Sequence, residues 1–93
     1  MRLKKEEINL IVRSVRALDN RARILLFGSR VDDAKKGGDI DLLVLSKKLD
    51  YSDGLTIRQK IFRKMDEQQI HLLIRKAPDE PFSRMAYREG IEL

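Results

Sequence analysis

Two short runs in this chain carry groups that could do chemistry. The first is Gly28-Ser29-Arg30, which closes the apolar run Arg23–Phe27. A strand that stops at glycine and enters a helical turn exposes backbone N–H groups, which suit a phosphate oxygen. The Ser29 hydroxyl adds one hydrogen bond and Arg30 a charge-assisted one. An ordinary turn has the same composition, and neither G-x-x-x-x-G-K-S/T nor G-x-G-x-x-G occurs. The second run is Gly38-Asp39-Ile40-Asp41, leading into an aliphatic stretch. Side chains two apart on a strand share a face, so Asp39 and Asp41 point the same way. Paired carboxylates repel unless one is protonated or a cation lies between them. A hard divalent ion such as Mg²⁺ removes that conflict, since it takes oxygen ligands and keeps much of its water. The competing reading is a solvated strand start in which Asp serves the turn. Asp32-Asp33 is weaker, being loop acid with no fixed face. With both runs at one end of a sheet, the parts of metal-assisted phosphoryl transfer are assembled.

The elements that must position these groups are legible from periodicity. Ile8, Ile11, Val12, Val15 and Leu18 recur at helical spacing between about Lys4 and Leu18, with Glu6 and Glu7 near the start. Arg23–Phe27 reads as a buried strand, and Ser29–Gly38 has room for about one helical turn. Asp39–Ser46 is a strand apolar on both faces after its acidic start. Ser52 is expected to cap a helix running to about Met65, with Ile57, Ile61, Phe62 and Met65 inward. Ile70–Ile74 is a third strand. Asp79-Glu80-Pro81 opens a last helix, with Phe82, Met85 and Ala86 on one side and Gly90 as its stop. The expected architecture is a layered α/β domain spanning residues 1–93, α-β-(short α)-β-α-β-α, with a three-stranded mixed sheet.

Composition narrows the function classes. The chain has 93 residues, room for one small core. It contains no cysteine, which excludes thiol nucleophiles, disulfides and Cys-type metal sites. Its single histidine, His71, excludes a multi-histidine cage. No apolar run is long enough to span a membrane, and the start is unlike a signal peptide, so the expected compartment is the cytoplasm. The net charge of +5 is spread along the chain, usually beside carboxylates. The densest basic stretch, Arg58–Lys64, reads as the solvated face of a helix. With no Trp and few aromatic rings, direct nucleic-acid binding has only the charge behind it.

The run FGSRVDDAKKGGDIDLLV resembles the signature of the DNA polymerase β-type nucleotidyltransferase superfamily, in which Gly-Ser is followed about ten residues later by Asp-x-Asp on the neighbouring strand. The small size, the leading helix and the ending FSRMAYREGIEL resemble its minimal members, the MntA-type proteins encoded beside HEPN-domain partners. The resemblance implies that Gly28 and Ser29 hold the β- and γ-phosphates of a nucleoside triphosphate, with Arg30 beside them. It implies that Asp39 and Asp41 bind two Mg²⁺ ions. A hydroxyl would then attack the α-phosphorus, taking a nucleoside monophosphate and releasing pyrophosphate. For MntA-type members the triphosphate is ATP and the acceptor a tyrosine of the HEPN toxin, silenced by AMP. The chain departs from the pattern at one place. The family's third strand carries a carboxylate, typically as V-D-L-L, where this chain reads Ile70-His71-Leu72-Leu73. Neutral imidazole can serve as a base near neutral pH, but it is a poor Mg²⁺ ligand and suits Mn²⁺ better. Asp66 and Glu67 just upstream would reach the site only through a shifted register.

Two expectations follow. One is a Mg²⁺-dependent enzyme moving AMP from ATP onto a partner protein, as antitoxin of a HEPN pair. The other is a catalytically weak or inactive nucleotide-binding module that blocks the same partner by occlusion. The intact Gly28-Ser29 and Asp39-x-Asp41 favour the first, and His71 the second.

Overall fold

The computed structural model describes residues 1, 3–32, 39–65 and 69–93. Asp33 and the glycine pair Gly37-Gly38 lie outside the described residues, as do Asp66 and Glu67. The elements in chain order are α1 (Lys5–Arg16), β1 (Arg23–Phe27), a 3₁₀ turn (Gly28–Val31), β2 (Ile40–Leu45), α2 (Tyr51–Lys64), β3 (Ile70–Arg75), α3 (Pro81–Glu89) and β4 (Ile91–Glu92).

The aliphatic β2 lies inside the sheet, whose order is β3-β2-β1-β4. It runs antiparallel to β1, with Leu43 opposite Leu25, and parallel to β3, with Asp41 opposite His71. The parallel pair needs a crossover, and α2 supplies it. Alternation sorts the strand residues into two layers. Ile24, Leu26, Ile40, Leu42 and Val44 pack with Ile11 and Val15 of α1 and Ile57 and Ile61 of α2. Leu25, Phe27, Leu43 and Leu45 face the other way, with Ala86 of α3. A fully buried aliphatic side chain contributes roughly 1.5–3 kcal/mol, so the first layer holds most of the stability. Apolar neighbours on both faces are why β2 reads as a continuous run rather than an alternation.

The structure corrects the expected architecture in four places. The sheet has four strands, because the chain after Gly90 returns along β1, where Leu25 pairs with Glu92 and Leu93 N–H donates to Ile24 C=O at 2.9 Å. Asp50, not Ser52, caps α2: its carboxylate accepts from Asp53 N–H at 3.1 Å, while Asp53 accepts from Asp50 N–H at 3.0 Å. This reciprocal pair satisfies donors that the helix start would otherwise leave open, and Ser52 falls inside the first turn, donating to Asp50 at 2.8 Å. Phe62 points outward, 63% exposed, because the buried stripe of α2 runs Gly54, Ile57, Ile61 and Met65, and Phe62 is a third of a turn off it. Phe82 is half exposed, its ring edge-on to Phe27 with centroids 5.7 Å apart.

Two polar clamps close the ends. Ser46 donates to Asp19 at 2.5 Å and accepts from Leu49 N–H at 3.0 Å, joining the end of α1 to the loop after β2. Arg23 grips Glu92 through two hydrogen bonds of 2.7 and 3.1 Å and lies over the Tyr87 ring, holding β4 against β1.

Candidate active site

β1 ends where β2 begins, and register does the rest. Phe27 lies opposite Asp41, so Gly28 follows directly beside that carboxylate. Gly28 takes φ +78°, a left-handed conformation that side chains resist. A Cβ there would also run into the Asp41 carboxylate. Glycine is thus required twice, by backbone angle and by the closeness of an acid. Ser29 and Arg30 follow in the 3₁₀ turn, both half-buried, with Asp32 N–H donating to Ser29 C=O at 3.2 Å.

Across the sheet, the parallel pairing sets His71 level with Asp41. The imidazole Nδ1 lies 3.0 Å from Asp41 Oδ1, and Nε2 lies 3.5 Å from Asp39 Oδ2. One ring therefore bridges the two carboxylates. Donating Nδ1–H to Asp41 leaves Nε2 with its lone pair near Asp39; a doubly protonated ring donates to both. Asp41 is the most enclosed of the three, its side chain 22% exposed, against 43% for Asp39 and 59% for His71. All six residues singled out in the sequence, Gly28, Ser29, Arg30, Asp39, Asp41 and His71, sit at this one end of the sheet.

The donor set fits a divalent ion only in part. Asp39 and Asp41 offer hard oxygens on one face, which is what Mg²⁺ takes from protein when waters and substrate phosphates complete its shell. The third position does not fit: among the described residues no cluster of three His, Asp or Glu side chains is arranged to hold a metal. The imidazole itself lies against the carboxylate oxygens a cation would use.

One feature beside the site escaped the sequence reading. The basic stretch Arg58–Lys64 is exposed apart from Ile61, as a solvated face is, and Arg58, Phe62 and Arg63 also line an open cleft of about 740 Å³ together with His71. A large aromatic among helix charges was the available signal.

Among the described residues no helix is long and apolar enough to cross a membrane. No curated protein matches the chain. The nucleotidyltransferase domain family matches residues 8–89, which runs from within α1 to the end of α3 and includes both chemical runs. The chain therefore belongs to the nucleotidyltransferase domain family.

Proposed function

We propose that the protein transfers AMP from ATP to a hydroxyl, a tyrosine of a HEPN-type partner, and thereby acts as an antitoxin. The observation that carries this reading is the position of Asp41, which touches the place of a Gly28 side chain on one side and His71 on the other. The phosphate turn and the carboxylate pair are thereby held in direct contact. Gly28 and Ser29 would receive the β- and γ-phosphates, with Arg30 following in the same turn. Asp39 and Asp41 would hold the divalent ions, which supply neutralisation of the triphosphate charge when bound. The acceptor oxygen forms a bond to the α-phosphorus as the bond to pyrophosphate breaks. Its proton goes to His71 Nε2, the ring being oriented by the 3.0 Å contact of Nδ1 with Asp41.

A second reading has its own support. The His71 ring competes with a cation for the same oxygens, which favours a binding module with slow or no transfer. The first test is ATP affinity by calorimetry with and without Mg²⁺. The transfer reading expects affinity to rise with Mg²⁺ and the rise to vanish in Asp41→Asn with the fold intact. Equal affinity in all four measurements would remove the carboxylate metal site. Transfer of labelled AMP to the co-expressed neighbour then separates the two: silencing without transfer leaves the binding module.

A further inference from the structure

We propose that the cleft between α2 and the outer edge of β3 is a docking groove for an acidic, extended segment of a partner protein. Where the transfer reading above holds, on which this last step rests, the groove presents the acceptor hydroxyl to His71.

The floor of the groove is a strand edge. β3 ends the sheet on its side. Ile40 N–H donates to Gln69 C=O and Ser46 N–H to Arg75 C=O, each at 2.9 Å, so odd-numbered positions of β3 face β2. By alternation the N–H and C=O groups of Ile70, Leu72 and Ile74 face outward, a template for one more strand. The wall is α2. Tyr51, Leu55, Arg58 and Phe62 fall at helical spacing on one stripe, and Tyr51, Leu55 and Phe62 are 80%, 42% and 63% exposed. That stripe is about 17 Å long, enough for roughly five extended residues. A row of exposed apolar side chains beside an open strand edge is the kind of surface that marks a binding site.

Charge selects the occupant. Among the described residues, the half of the groove nearest the active site is lined by Arg58 and Arg63 and by no carboxylate. Among the described residues neither guanidinium is in an ion pair. A strand that alternates acidic and apolar side chains would set carboxylates toward the arginines and apolar groups against Leu55 and Phe62. A second copy of a chain with net charge +5 is a poorer electrostatic match. A nucleic-acid strand would find a single ring, Phe62, in the half nearest His71, and an aliphatic floor. The groove also borders the site, since His71 is among the residues that line it.

The test is fluorescence anisotropy, without nucleotide, on the whole protein. The probes are a labelled peptide alternating glutamate and leucine around a central tyrosine, its lysine counterpart, and a ten-nucleotide single-stranded RNA. The acidic peptide is expected to bind at least about tenfold more tightly than the other two, and Arg58→Glu and Phe62→Ala each to weaken it about five- to tenfold. Both positions are exposed, so neither change removes core packing. Equal or tighter binding of the lysine peptide or the RNA overturns the proposal. So does unchanged binding in both variants, or a dimer that Phe62→Ala disrupts and the acidic peptide does not compete with. Acidic-peptide binding without metal-dependent ATP binding upholds the groove and removes the transfer reading. Metal-dependent ATP binding without peptide binding does the reverse.

Discussion

Replacing His71 by aspartate brings a third carboxylate level with Asp41, and the structure sets the size of the effect. Neighbouring strands place paired side chains about 5 Å apart. At that distance two unit charges repel by about 0.8 kcal/mol in water and about 3 kcal/mol at an effective dielectric of 20. His71 is 59% exposed and Asp41 22%, so the Asp41 pair falls between those limits, nearer the lower. Asp39 adds a smaller repulsion, and the 3.0 Å contact of the ring with Asp41 is lost. Together these destabilise the metal-free protein by about 1–2 kcal/mol, a fall in Tm of roughly 5–15 °C for a domain this small. A bound divalent ion reverses the sign. It converts three mutually repelling carboxylates into ligands and stabilises the fold by linkage, about 2.7 kcal/mol at a hundredfold excess over Kd. His71→Asp should therefore melt below the natural protein in chelator and recover in Mg²⁺, whereas the natural protein should move less with Mg²⁺ and more with Mn²⁺. Circular dichroism melts of both proteins in chelator, Mg²⁺ and Mn²⁺ read this without any activity assay. A His71→Asp protein as stable as the natural one in chelator and indifferent to Mg²⁺ would refute the reasoning, because the three side chains would then not share a site. In the transfer assay the same change should raise the Mg²⁺-dependent rate, on the order of ten- to ten-thousand-fold, the span of one positioned acid–base group. A fast natural protein slowed by the change would make His71 a working base.

Three further outcomes are expected. Gly28→Ala should lose about 1–2 kcal/mol from its left-handed backbone and weaken ATP binding at least about tenfold by displacing the Asp41 carboxylate, read by melts and calorimetry. Gly90→Val should cost about 1–3 kcal/mol, because a Cβ there lies 2.6 Å from Ala86 C=O and 3.0 Å from Leu26 C=O; amide exchange at β4 should rise well above that at β2. Acid should weaken the fold as pH falls below about 4.5: Asp19 is lowered by the Ser46 hydrogen bond, Asp50 by that of Ser52, Glu80 by Ser83 and Glu92 by Arg23, from ordinary values of 3.8 and 4.5. Since the folded carboxyls titrate below the unfolded ones, their stabilisation is full above those values and is lost as pH falls through the folded pKa values; a denaturant midpoint rising between pH 5 and 3 would contradict it.

The strands that build the site were legible because their signals are local. Arg23–Phe27 is bounded by charge and glycine, and the central strand is an unbroken run of aliphatic residues after Asp41. The pairing of Asp41 with His71 was anticipated only through the family pattern; periodicity gives no register between strands thirty residues apart. β4 was missed for a physical reason: two residues have no period, and their pairing is held by Arg23 from the far end of the chain. Sequence pattern puts Phe62 inward because apolar residues usually are. α2 buries one narrow stripe, and the next side chain around the helix falls outside it.

The same distant pairing orders the events of folding and opening. Arg23 and Glu92 are 69 positions apart, so joining β4 to β1 closes about three-quarters of the 93-residue chain into a loop. That closure is entropically the most demanding in the domain, and only two residues of ladder reward it. The edge strand is therefore the last to zip and the first to let go, while β2, paired on both sides, opens only with the whole molecule. Opening of that edge frees the far side of β1 from the end opposite Phe27 while the register of Phe27, Asp41 and His71 stays closed. Phe27 and Asp41 thus lie on the two doubly paired strands, and the carboxylate end of the site is held independently of β4.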